Sequence, residues 1–236
     1  MTDATSLIEL HSCLAHICDC VVRGRAPTLG EQPFPSPVDE AVNRSLASLA
    51  TDTPSVSYSG AYAQIPMRAR PDGVPVTHRL ERIVIEADEV LRIKTKSHAT
   101  GSSVHSLLLA AFALAIRDIA EQHPRQILVR SSIDMRRRLE PHVSTDLVFT
   151  AITGHITSIP DLDRPILEIA RLIFADIHQG VANGSIFHDY VNYPRAFGSP
   201  QQAPVAINVS DLQSVQFHWP TERLAVTGFE YALGWL

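Results

Sequence analysis

The 236-residue chain carries 20 basic and 25 acidic residues for a formal net charge of −5, with 45% hydrophobic and 19% charged side chains. That balance describes a folded chain of one large or two small domains and excludes disorder; with no block of like charge, neither nucleic acid nor an anionic membrane surface is an expected partner. The longest apolar run, Leu107 to Ile116, is about half of a membrane span, and no export signal opens the chain, so no transmembrane segment and a cytoplasmic place are expected.

Leu7, Leu10, Leu14, Ile17 and Val21 recur at steps of three and four and predict a helix from Thr5 to about Val22. Asp3, Thr5 or Ser6 can cap its start, with Glu9 placed to complete a capping box on Ser6, and Gly24 ends it. Cys13, His16 and Cys20 share one face of that helix, but no second cluster offers zinc-like spacing, so no metal site is expected. Three cysteines without an export signal also argue against a disulfide framework.

Pro27 to Pro37 reads as an extended linker, and Ser36-Pro37 followed by Asp39-Glu40 opens a second helix to about Ala50. Thr51 to Thr77 is a long connection rich in Ser, Gly, Pro and Tyr. Arg79 to Ile85 reads as a strand and Asp88 to Ala99 as a charged helix broken by Gly101. Ser102 or Ser103 caps the next helix, whose stretch Leu107 to Ala120 is apolar nearly all round, so burial on several sides is expected. Gln126 to Ile133 and Phe149 to Ile159 read as strands, a helix runs from Pro165 to about Gly180, and Val205 to Val209 and Thr227 to Trp235 read as strands. Helices and strands mix without strict alternation, which predicts α/β layers on a mixed sheet, an α+β-like arrangement.

Familiar catalytic signatures are missing: there is no Gly-x-Ser-x-Gly elbow, no phosphate-cradling glycine loop and no Gly-x-Gly-x-x-Gly after a strand. His142 to Asp146 fits His-x-x-x-Asp, but a single such pair arises readily by chance and Pro141 precedes it; a loop between strands is the plainer reading. An independent enzyme using His142 or His155 is the weakest of the functional alternatives. More specific is the run Ser131 to Pro141. At strand spacing Asp134, Arg136 and Arg138 share one face and Arg137 points away. Either this is a solvated strand end, or one arginine holds the Asp3 carboxylate and fixes the turn that Asp3 begins.

These residues resemble a family. Asp3-Ala4-Thr5-Ser6 with its helix is similar to the tail of the His-His-x-x-x-Asp motif of CoA- and carrier-dependent acyltransferases, among them condensation domains and mycobacterial polyketide-associated acyltransferases of the phthiocerol/phthiodiolone dimycocerosyl transferase type. Ile133 to Pro141 resembles the Asp-Leu-Arg-x-Arg-Leu-Glu-Pro strand of that type, Ala182-Asn183-Gly184-Ser185-Ile186 its Ala-Asn-Gly turn, and Gly101 with the helix from Ser103 the start of its second domain.

The resemblance implies a chloramphenicol-acetyltransferase-like fold of two lobes around a tunnel. An acyl thioester, on CoA or an acyl carrier protein, is the donor substrate; an alcohol or amine is the acceptor; the second motif histidine is the general base; no cofactor is bound. It implies that Asp3 is structural and is supported by Asp134, Arg136 and Arg138. On this reading both motif histidines lie ahead of Met1, so no catalytic residue is expected in the chain, and Leu236 stops where the family continues. The implied division is 1–50 as the end of a first lobe and crossover, 51–78 as a linker loop, and 79–236 as an incomplete second lobe. An acyl carrier protein, a polyketide synthase, a chain supplying the first lobe, or self-association are the implied partnerships, although His178 stands where relatives offer a basic docking residue. The alternative of another class is a non-catalytic carrier- or partner-binding remnant of the same fold.

Overall fold

A computed structural model describes residues 3–28, 30, 36–49, 61–66, 81–121, 124–144, 147–198, 204–211 and 221–224. The expected strand Thr227 to Trp235 and most of the 27–37 and 51–78 connections lie outside them. The elements are α1 (Ala4–Val22), α2 (Val38–Ala47), α3 (Ala87–Ala99), α4 (Val104–Ile119), β1 (Ile127–Asp134), β2 (Ile152–Ile159), α5 (Ile166–Ala182), α6 (Ser185–Gly198) and β3 (Val205–Val209). They group into two compact units. One holds Met1–Ser48, Asp134–Ile152 and Leu212–Leu236; the other holds Leu49–Ile133 and Thr153–Asp211. The grouping cuts across the consecutive division expected from the sequence.

The second unit is a mixed α/β layer. Its three strands run in the order β2-β1-β3, with β1 and β3 parallel and Val129 opposite Ile207. Ile127 and Val129 of β1 and Ile159 of β2 meet Leu109, Ala110, Ala113 and Ile116 of α4 and Ile169, Ala170 and Ile173 of α5 in one core. On α4 the buried positions 106, 109, 110, 113 and 116 repeat at helical spacing, while Phe112 and Ile119 on the other side are exposed. Burial on several sides is therefore corrected to burial of one stripe: apolar residues lie on every face, and periodicity cannot tell covered from uncovered ones.

Helix ends follow from sequence chemistry. Ser103 and Ser106 cap α4 reciprocally, each side chain accepting the other's backbone N–H. After α3, Gly101 at φ +66° lets Ser102 N–H reach Ser97 O at 2.9 Å, closing the carbonyl end. Pro165 opens α5 and Pro37 opens α2, both without a side-chain cap.

Two sequence readings fail in this unit. Residues 81–86 carry no strand, and Ile83 is 82% exposed. β-branched composition supplies propensity, but a strand exists only where a partner completes its hydrogen bonds. Conversely, α6 was not expected. Its His188, Asp189, Asn192 and Pro194 are poor helix formers, yet Ile186 and Phe187 are buried, and Asn183 Oδ1 accepts the Ser185 N–H at 3.0 Å to start it.

In the first unit α1 ends in the same glycine motif as α3, with Gly24 at φ +66° and Arg25 N–H on Cys20 O at 2.9 Å. Its buried residues are Ser6, Asp19 and Cys20, whereas Leu10, Leu14, Val21 and Val22 are 50–65% exposed. Of the five residues whose spacing predicted the helix, Leu10, Leu14 and Val21 are thus uncovered, while Leu7 and Ile17 are half-buried. Asp19 Oδ1 accepts the backbone N–H groups of Glu222, Arg223 and Leu224 at 3.2, 2.8 and 3.2 Å, and Arg23 bridges Asp19 and Glu222. α1 is long and apolar enough to cross a membrane by length and composition, but Ser6 and Asp19 are committed to hydrogen bonds inside this unit.

Candidate functional site

The most concentrated polar arrangement of the first unit surrounds Asp3. Asp3 is the N-cap of α1, its Oδ1 accepting the Ser6 N–H at 2.9 Å. Across from it the chain turns after β1: Arg138 and Leu139 donate their N–H groups to Met135 O, and Met135 N–H bonds Ala151 O. Met135, Leu139 and Ala151 are fully buried around that turn, and they carry Arg136 inward.

Arg136 is 0% exposed and Asp3 3%. The guanidinium meets the carboxylate in a two-pronged pair, Nη1 on Oδ2 at 2.6 Å and Nη2 on Oδ1 at 3.0 Å. Nη2 also donates to Ser6 Oγ at 2.8 Å and Phe149 O at 2.9 Å, and the guanidinium carbon stands 5.0 Å from the centre of the Phe149 ring. Ala151 N–H supplies a further bond to Asp3 Oδ2 at 2.9 Å. Ser6 Oγ accepts from Phe149 N and donates to Phe149 O, so it does not serve the capping box with Glu9. Burial works to raise the Asp3 pKa, but the Arg136 bonds and the Ala151 and Ser6 amides outweigh it and hold the carboxyl below its ordinary value. These bonds hold the carboxylate ionised at neutral pH against a cation and fix the entry to α1.

Of the four residues expected here, the structure joins Asp3 and Arg136. Asp134 lies at the edge, its carboxylate accepting the Arg136 backbone N–H at 2.9 Å and standing 3.5 Å from Nη1. Arg138 is corrected: it is exposed and donates to the Asp134 carbonyl rather than reaching Asp3. Strand spacing fails because 136–138 is a turn, so alternation ends at Asp134. Ser6, Ala151 and the Phe149 backbone belong to the arrangement too; of these the sequence offered only Ser6, as a cap.

The other polar residues lie apart from it. His142 is exposed on the loop after the turn. Cys20 Sγ is 3.7 Å from His16, and Cys13 is 3.8 Å from Glu9; partial burial, then the Glu9 carboxylate, raise the Cys13 thiol. Among the described residues no three His, Cys, Asp or Glu side chains converge to hold a metal ion. Within the second unit His155 lies between Asp176 and Asp189, and His178 is exposed and pairs with the Phe174 ring at 4.1 Å. A recess of about 500 Å³ there is lined by Arg117, Asp118, Pro124, Arg125 and Asp163; both guanidiniums are already paired with carboxylates.

Comparison with known proteins follows the same lines. Residues 74–234 match the family model described as phthiocerol/phthiodiolone dimycocerosyl transferase C-terminus. No curated protein matches by sequence. Among solved structures the chain is similar to polyketide synthase associated protein 5 from Mycobacterium tuberculosis, at 19% identity and a TM-score of 0.64, over 94% of this chain and 56% of that one. It is also similar to the PapA2 acyl transferase, at 16% identity and 0.54, over 89% and 47%. The first condensation domain of the CDA synthetase matches at 13% and 0.54, over 89% and 46%. At these identities the likeness establishes the fold, that of acyltransferases and condensation domains, and the chain spans about half the length of those structures.

Proposed function

The chain belongs to the phthiocerol/phthiodiolone dimycocerosyl transferase C-terminus family, and from that premise we propose that it forms part of an acyltransferase of polyketide or complex-lipid assembly. The reaction moves an acyl group from a thioester, on CoA or an acyl carrier protein, to an alcohol or amine. The observation that carries the reading is the buried Asp3–Arg136 pair, which sits at the head of α1 where the resemblance places the structural aspartate of the acyl-transfer motif. Its role is to position: a turn held by five charge-assisted or amide bonds gives any base presented on it a fixed address.

A second reading is a non-catalytic module of the same fold that binds an acyl carrier or a partner. One experiment separates them. The protein as its own source makes it is incubated with an acyl thioester and an alcohol acceptor, and thiol release and ester formation are followed, alongside binding of the carrier. Turnover that falls when Arg136 becomes Met supports the transferase. Carrier binding with no thiol release above background sinks it in favour of the binding module, and neither response removes both.

A further inference from the structure

The second unit contains a charge arrangement that the acyl-transfer reading does not use. His155, on β2, is enclosed, its side chain 10% exposed. Its Nδ1 is 2.8 Å from Asp189 Oδ2 of α6 and its Nε2 is 3.1 Å from Asp176 Oδ2 of α5. Each ring nitrogen therefore faces a carboxylate oxygen, which accepts and cannot donate, so only the doubly protonated ring satisfies both contacts. Thr157, two residues along β2, adds its hydroxyl to Asp176 Oδ2 at 2.6 Å. Gly180 of α5 lies flat on the ring, where a Cβ would come within 2.8 Å of Cε1. Three elements converge on one imidazolium.

We propose that His155 is a proton-dependent clasp that ties α6 and α5 to β2, so that losing the ring proton frees α6. The two helices meet this strand through partly exposed carboxylates, with Asp189 32% and Asp176 42% exposed. α6 also carries few strong helix formers, so it leans on this tie and on Ile186 and Phe187. The titratable groups bonded to the ring are Asp176 from α5 and Asp189 from α6. His178 of α5 turns instead to Phe174, and His188 Nε2 of α6 is buried without a partner.

The sign follows from the ring. Burial alone lowers its pKa, but the bonds and charges of Asp176 and Asp189 dominate and carry it from 6.5 to about 9. The folded value lies above the unfolded one, so the clasp is fully engaged below pH 6.5 and is lost as pH rises toward about 9. On the acid side, burial raises the Asp176 pKa but His155 and Thr157 hold it lowered, so the tie to α5 persists until pH falls below the ordinary carboxylate range.

The test is amide hydrogen exchange of the full chain between pH 6 and 9.5, corrected for intrinsic exchange, with α4 as internal control, together with the NMR titration of the His155 ring. Protection of α6 should fall by about a hundredfold across that range while α4 is unchanged. His155→Gln should show the weak α6 protection already at pH 6 and no dependence on pH. A ring titrating near 6.5, or α6 protection that is flat with pH or merely tracks α4, overturns the proposal. The wild-type profile decides by itself if the variant fails to fold.

Discussion

Replacing Arg136 by Met keeps much of the side chain's volume and removes every bond that the guanidinium donates to Asp3, Ser6 Oγ and Phe149 O. Asp3 then remains 3% exposed, keeping only the Ser6 and Ala151 amides. Breaking a buried pair from one side leaves an uncompensated charge and costs about 3–5 kcal/mol. For a chain of this size, at about 2–4 °C per kcal/mol, Tm should fall by about 6–20 °C. Arg136→Lys keeps the charge but not the fork and should lie between. The pH dependence gives a second reading. Wild-type Asp3 is held below its ordinary 3.8, so its contribution is present above that value and lost as pH falls through the lowered one. Without Arg136, burial dominates and the Asp3 pKa rises, so the variant should lose less of its stability in acid than the wild type does. Urea unfolding of wild type, Asp3→Asn, Arg136→Met and the double variant at pH 7 and at about pH 3, below the ordinary carboxylate value of 3.8, measures both effects. A loss under about 1 kcal/mol for Arg136→Met, or additive effects of the two substitutions, would refute the reasoning.

Ser6→Ala leaves the half-buried Phe149 N–H without its acceptor and should cost about 1–2 kcal/mol in urea unfolding; a change within experimental scatter would mean the hydroxyl is dispensable. Gly180→Ala places a Cβ 2.8 Å from His155 Cε1 and should destabilise by about 1–3 kcal/mol with faster amide exchange in α5. The uncovered Leu10 and Leu14 of α1 should make the chain self-associate or bind hydrophobic dye. Gln at both positions should lower that signal while unfolding changes by no more than about 1 kcal/mol; unchanged dye binding would place the apolar surface elsewhere.

Most elements were legible because local chemistry specifies them. Asp3 before an apolar period, Ser102-Ser103 before the next, and Gly24 and Gly101 after their helices are marks that act within a turn of the backbone. What was hidden depends on partners distant in sequence. Leu10, Leu14 and Val21 have the spacing of core, but spacing says which residues are alike, not what lies against them. Arg136 and Arg138 are equivalent at strand spacing; only the turn around Met135 sends one inward and the other to solvent. That one of the arginines holds Asp3 was offered as one of two readings, beside a solvated strand end, and no local signal said which arginine. The His155 arrangement was out of reach, because one of its two acids stands on α6, a helix whose composition does not announce itself.

The ties of α1 set an order of events during synthesis. Asp3 must wait for Arg136, 133 residues later, and Asp19 for the amides near Arg223, 204 residues later. At about 5–20 residues per second, the second wait lasts about 10–40 s. Through the first wait α1 lacks the guanidinium that holds Asp3, and through the second the amides that hold Asp19. The other unit can already close on itself, since its segments end at Asp211. On a nascent chain α1 is therefore completed only after the segments of the other unit have been made, which gives a ribosome-associated chaperone time to hold it.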